Sequence, residues 1–190
     1  MYRAGYSSDV AAGDWFVESG AFEYVVIREI MGNYSGTNHF GPYDTITRAQ
    51  VATILWRLAG SPASSVSQPF SDADPNEYYY NALCWAKEIG VSTGYSGTDS
   101  FGPNDPVTRE QLATLFARYA SVVDGRDTLS DCSAMNSKNG ADEVSDYARE
   151  AMGWAVDTGL IAGVNGTDLE PGGTAWRASM AEMVKRYSSF

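Results

Sequence analysis

The sequence predicts an all-α protein of three helix–loop–helix repeats, with the second helices gathered into a bundle of pseudo-threefold symmetry. Two observations carry that expectation. First, Ser35–Arg57, SGTNHFGPYDTITRAQVATILWR, aligns without a gap to Ser96–Arg118, SGTDSFGPNDPVTREQLATLFAR. Asn165–Arg186, NGTDLEPGGTAWRASMAEMVKR, aligns to both with one residue deleted in its loop. Second, apolar residues after each loop recur at helical spacing: Val51, Ile54, Leu55 and Leu58, then Leu112, Leu115, Phe116 and Tyr119, then Met180, Met183, Val184 and Tyr187. A single apolar stripe cannot be buried by its own helix, so three such helices are expected to bury theirs together. These side chains, at about 1.5–3 kcal/mol each before entropy is subtracted, make an adequate core.

The first repeat, residues 1–60, opens with SSDVAAGDWF and a short apolar helix in FEYVVIREIMGNYSGT. The second, residues 61–127, reads FSDADPNEYYYNALCWAKEIGVSTGYSGT before its loop. The third, residues 128–190, has LSDC, an inserted loop of about ten residues, and YAREAMGWAVDTGLIAGVNGT. No alternating pattern of useful length argues for strands. Thr47 with Gln50, and Thr108 with Gln111, have the spacing of capping boxes at the starts of the long helices. Trp176 and Ser179 lack it, so the third long helix is expected to begin earlier, near Thr174, or to fray. Ser35-Gly36, Ser96-Gly97 and Asn165-Gly166 supply the positive-φ residue that the reversal before each loop needs.

Composition narrows the function. The net charge of −11 and pI near 4.4 exclude the basic footprint that nucleic acid or an anionic membrane surface requires. No apolar run approaches a membrane span, and MYRAGYSSDV lacks the apolar core of a secretory signal. The chain is therefore expected to be cytosolic or a piece of a larger exported protein. Cys84 lies in an apolar helical stretch and Cys132 in a polar loop; a bridge and two free thiols both fit.

Catalytic chemistry finds little footing. His39 is the one histidine, on a loop tip, and no nucleophile elbow, phosphate-binding loop or Cys/His metal spacing occurs. Asp142-Glu143 reads as a solvated acidic loop rather than a general acid/base pair. No enzyme, metal or cofactor is expected.

The repeated arginines remain. Arg57, Arg118 and Arg186 lie near helix C-termini, where the dipole favours a cation. Arg48, Arg109 and Arg177 sit at helix starts, where it opposes one by about 0.3–1 kcal/mol. Two readings fit these three: pairing with acidic neighbours such as Asp44, Asp105 or the Phe-x-Asp aspartates, or an anion site built from a guanidinium and helix-start amides. Trp15-Phe16, Tyr78-Tyr79-Tyr80 and Tyr147 serve as core or as flat platforms for carbohydrate.

Together, Phe-x-Asp, an aromatic, a short helix, the Gly-Thr-x-x-Phe-x-Pro loop and the Thr-Arg helix start resemble the S-layer homology (SLH) repeat. The second repeat matches nearly throughout and the first from Gly36 onward. The third keeps Asp131, Tyr147, Gly159, Gly163, Gly166-Thr167 and Arg177 but has Trp176 and Ser179 where the motif has threonine and an acid. The resemblance implies a three-pronged spindle with a central three-helix bundle. It implies a non-covalent anchor, part of a larger surface protein at the bacterial cell wall, that binds an acidic, often pyruvylated, secondary polysaccharide in grooves between prongs. By position the anion contacts are Arg48, Arg109 and Arg177. The groove residues are Asp9, Asp72 and Asp131, the sugar platforms Trp15, Tyr78 and Tyr147, and the loop backbone Gly36, Gly97 and Gly166. The degenerate third motif sets apart the groove of Arg177, and one or two working grooves are expected rather than three. A surface scaffold of the same fold that binds proteins instead of glycan is the alternative.

Overall fold

A computed structural model describes residues 6–190, so the first five residues of the first repeat lie outside the described chain. Eight α-helices run in order: α1 Trp15–Glu18, α2 Ala21–Ile27, α3 Arg48–Leu58, α4 Tyr80–Ile89, α5 Arg109–Asp124, α6 Ser133–Asn136, α7 Arg149–Asp157 and α8 Arg177–Tyr187. Among the described residues, β-pairing is confined to isolated bridges. The long helices are α3, α5 and α8. The short helix of the first repeat is split into α1 and α2 at Gly20, whose φ of 81° suits a residue without Cβ.

The predicted stripes are inside. Val51, Leu55, Leu112, Phe116, Met180 and Val184 are essentially inaccessible, and Tyr119, Met183 and Tyr187 are buried. Leu58 and Leu115, at the edges of their stripes, are half-buried. Phe116 and Tyr119 of α5 meet Tyr187 of α8 at ring-centroid distances of 5.7 and 5.5 Å. The most extensive partner of each long helix, however, is the short helix of the following repeat: α3 against α4, α5 against α7, and α8 back against α2.

The loops close the same cycle. Ile46 N donates to Ala175 O (3.0 Å), Ala175 N to Val107 O (2.9 Å) and Val107 N to Ile46 O (3.1 Å), a ring of three hydrogen bonds with one residue from each repeat. Each long helix then starts under the next repeat's loop. Arg48 N and Ala49 N donate to Asp105 O and Pro103 O. Arg109 N and Glu110 N donate to Gly173 O and Pro171 O, and Arg177 N and Ala178 N to Asp44 O and Pro42 O. Amides that would otherwise be orphaned at a helix start are satisfied across repeats.

Both capping boxes form as the spacing predicts. The third long helix neither starts early nor frays: it begins at Arg177 with Trp176 as an N-cap that makes no side-chain bond, its first two amides held by the loop of the first repeat. The insertion in the third repeat is more than a loop. It forms α6 and a 3-10 turn at Ala141–Glu143, and Met135 is fully buried. Cys84 and Cys132 are both free thiols. No helix among the described residues is long and apolar enough to cross a membrane.

Candidate functional site

Each helix-start arginine reaches into the following repeat. The Nε of Arg48 donates to Phe101 O (2.6 Å), that of Arg109 to Leu169 O (2.7 Å), and that of Arg177 to Phe40 O (2.8 Å). Arg177 adds a bond from Nη2 to Gly32 O (2.9 Å). Among the described residues no ion pair joins any of these guanidiniums to a carboxylate. Backbone carbonyls hold the arginines, and pairing with Asp44 or Asp105, one of the two readings of the sequence, does not occur. The first three amides of α3 and α5 are committed to loop carbonyls and the cap threonine, and the first two of α8 to loop carbonyls, so an anion would meet chiefly guanidinium. Burial lowers the pKa of all three arginines from the ordinary value, with Tyr95, Glu170 and Tyr34 the leading opposing influences at Arg48, Arg109 and Arg177.

Two of the loops that receive the arginines are built on aspartates, Asp9 of Ser-Ser-Asp in the first repeat and Asp72 of Phe-x-Asp in the second. Asp9 accepts Phe40 N (2.8 Å) and Gly41 N (2.7 Å), and Asp72 accepts Phe101 N and Gly102 N (2.8 Å each). Both carboxylates are therefore committed to the loop backbone. Tyr34 OH donates to Asp44 (3.0 Å) and Tyr95 OH to Asp105 (2.7 Å). That fixes the two rings 4.5 and 4.4 Å from the Arg177 and Arg48 guanidinium carbons. Such cation–π contacts contribute about 0.5–2 kcal/mol.

Asp131 does not share this role. It accepts Ser133 N (2.8 Å), a bond that lowers its pKa. The third loop is pinned instead by Asn139, from the insertion, through Leu169 N to Asn139 O (3.0 Å) and Asn139 Nδ2 to Asp168 (2.6 Å). Here Val164, Leu169, Glu170 and Gly173 stand where the other loops have tyrosine, phenylalanine, glycine and aspartate. Because each arginine belongs to the repeat before the loop it meets, this altered loop lies against Arg109. The sequence attached it to Arg177, which in fact meets the intact motif of the first repeat.

Two clefts of about 480 Å³ open on Arg109 and Arg177; Arg48, expected as an anion contact, is buried and lines neither. The Arg177 cleft is walled by the first loop (Gly32, Asn33, Tyr34), by Gln50 and Arg57 of α3, and by Tyr78 from the second repeat. The Arg109 cleft is walled by Gly163, Val164 and Glu170, by Glu182 and Arg186 of α8, and by Trp15 and Trp176. Of the expected site residues, the fold thus brings Arg177 to Tyr78 and Arg109 to Trp15. Asp9, Asp72, Asp131, Gly36, Gly97 and Gly166 contribute to neither wall. The three glycines hold the left-handed turns, at φ of 74°, 75° and 81°. Tyr147 is exposed but tied to Glu110 (3.1 Å), whose buried carboxylate also accepts Ser145 N and Oγ. Burial and that acidic partner push its phenol up to about 12.

Residues that the sequence reading passed over are Arg57, Arg186, Gln50 and Tyr34. The sequence places Arg57 and Arg186 near helix C-termini, and their recurrence at one position of the repeat is the signal of a further role. Arg57 is exposed and makes one long bond, 3.4 Å to Ile30 O.

A sequence model of the S-layer homology domain matches residues 8–52 and 69–113. The chain is similar to an endoglucanase of Bacillus sp. (strain KSM-635), 28% identical over 93% of this chain and 18% of that protein. It is similar to the surface-layer 125 kDa protein of Lysinibacillus sphaericus, 31% identical over 83% of this chain and 13% of that protein. S-layer protein EA1 of Bacillus anthracis is 26% identical over 93% of this chain and 19% of its own length. The chain spans less than a fifth of each of these relatives.

Proposed function

We propose that the chain is a cell-wall anchoring module of the bacterial surface that holds an acidic wall polysaccharide in the Arg177 cleft, a reading that its match to the S-layer homology domain supports. The observation that carries the reading is the charge of that wall. Arg177 and Arg57 both line it, and no aspartate or glutamate does, in a protein of net charge −11. Arg177 is held to the first loop through Nε and Nη2, which leaves Nη1 for a ligand, and Arg57 makes only its one long bond, so both cations keep donors that folding does not use. They suit a carboxylate, such as a pyruvyl group, which a guanidinium can grip with paired bonds. Tyr78, largely exposed, offers a ring face beside it for a sugar. The partner is a polymer of the wall, and the chain is continuous with a larger surface protein.

Arg57→Gln tests this with little risk to the fold, because Arg57 is exposed. Binding to purified wall polysaccharide, measured by calorimetry, should weaken about tenfold, the loss of one charge-assisted hydrogen bond. On polysaccharide stripped of its acidic groups, wild type and variant should bind alike. Equal binding of both proteins to the intact polymer would remove the acidic-ligand reading, and no binding by either would leave the protein-binding scaffold.

A further inference from the structure

The Arg109 cleft equals the Arg177 cleft in volume but differs from it in charge and in wall. Its two cations each have an acid at hand. Arg186 is paired with Glu182 at 2.8 Å, and Glu170, on the same wall, is the charge that acts on Arg109. The formal charge of the lining is therefore balanced, where that of the Arg177 cleft is doubly positive. A balanced pocket in an acidic protein has no field to draw in an anion.

What it has instead is indole. Trp15, from α1, and Trp176, from the start of α8, both line the cleft, and they are 43% and 46% exposed. Among the described residues neither indole N–H donates to a protein acceptor. Trp176 stands where the other long helices carry their capping threonine, so this helix gives up a side-chain cap for a half-exposed ring. Around the rings are Ser179, Thr174, Asn165 and the terminal nitrogens of Arg109, whose Nε alone is engaged. Flat apolar faces with scattered hydrogen-bond donors and acceptors fit a ring that is apolar on its faces and hydroxylated at its edge.

We infer that the Arg109 cleft binds a neutral pyranose unit, a hexose or N-acetylhexosamine, stacked on Trp15 and Trp176. This rests on the reading of the chain as a glycan anchor and divides the labour between clefts: one grips an acidic unit of the wall polymer, the other an uncharged one.

The chain has five tryptophans, so its 15N-labelled form gives five side-chain indole signals, assignable through Trp15→Phe and Trp176→Thr. Titration with N-acetylglucosamine, N-acetylmannosamine and glucose at millimolar concentrations should move the signals of Trp15 and Trp176. Those of Trp56, Trp85 and Trp154 should stay in place. Sodium pyruvate should leave all five unmoved. Trp15→Ala with Trp176→Thr should weaken the sugar response at least tenfold, read on a backbone amide such as that of Ser179. If none of the three sugars moves the two signals, or if pyruvate moves them as strongly, the inference falls. Its failure is separable from that of the acidic-ligand reading, because Arg57→Gln probes the other cleft.

Discussion

Gly41 and Gly102 show how tightly a single position constrains this loop. Both adopt left-handed backbone, φ 68° and 70°. A Cβ at Gly41 would overlap the Asp44 carboxylate and stand 2.7 Å from the Tyr34 ring; at Gly102 it would meet Asp105 and Tyr95 in the same way. Gly102→Ala is therefore expected to cost about 1–3 kcal/mol in urea denaturation, from backbone strain together with the displaced pair. The third loop supplies the converse. Glu170 occupies the matching place at φ 46°, and Glu170→Gly should stabilise the chain by about 1 kcal/mol by releasing that strain. Asp9 adds a pH dependence. Burial pushes its carboxyl up, but the amides of Phe40 and Gly41, with His39 beside it, bring the net pKa below the ordinary value of 3.8. With the folded value depressed, the stabilisation is present above 3.8 and lost as pH falls through the folded value. Asp9→Asn should lose stability at neutral pH, and its acid melting curve should be flatter than that of wild type.

At the scale of the helix, the misplaced arginines have a physical account. The positive end of α3 faces carbonyls at Pro103, Phe101 and Asp105, so the guanidinium sits among negative dipole ends of the next repeat rather than beside bare amides. The caps act locally and independently of this. Thr108→Ala should cost about 1 kcal/mol by removing one side of the box. Thermal melting followed by circular dichroism would measure it. The long helices, the two capping boxes and the turns at Gly36, Gly97 and Gly166 were legible because each is decided by residues within a few positions, whereas the start of α8, held by the first repeat's loop, and α6 in the insertion were not. The site was legible only in part. Arg177 and Arg109 were recognised, but their partners were exchanged, because a repeat's sequence carries no mark of which neighbour its arginine will meet. Arg57 was hidden for a related reason: a cation near a helix C-terminus satisfies the dipole so well that its place in a cleft wall adds nothing visible. Asn139 had no signal at all, since it substitutes for an aspartate from inside an insertion that only the third repeat has.

Closure governs the whole molecule. In a linear solenoid each repeat touches its neighbours along the line, and the end repeats can fray before the middle. Here the third repeat returns to the first. α8 packs on α1 and α2, Glu182 accepts Ser19 Oγ (2.5 Å), Lys185 donates to Ser19 O, and Arg177 clamps Phe40 and Gly32. With both neighbours of every repeat present, no repeat is terminal, and unfolding one exposes the helix faces of the two others. The three repeats are therefore expected to unfold together. Trp56, Trp85 and Trp154 report on them separately, one in each repeat, through their indole N–H resonances. In urea all three native signals should disappear at a common midpoint. Thr108→Ala, although it touches only the second repeat, should lower that midpoint for all three by the same amount. If Trp85 alone shifted while Trp56 and Trp154 kept the wild-type midpoint, the ring through Ile46, Val107 and Ala175 would not be coupling the repeats. The clefts shared between them would then have to hold their shape without it.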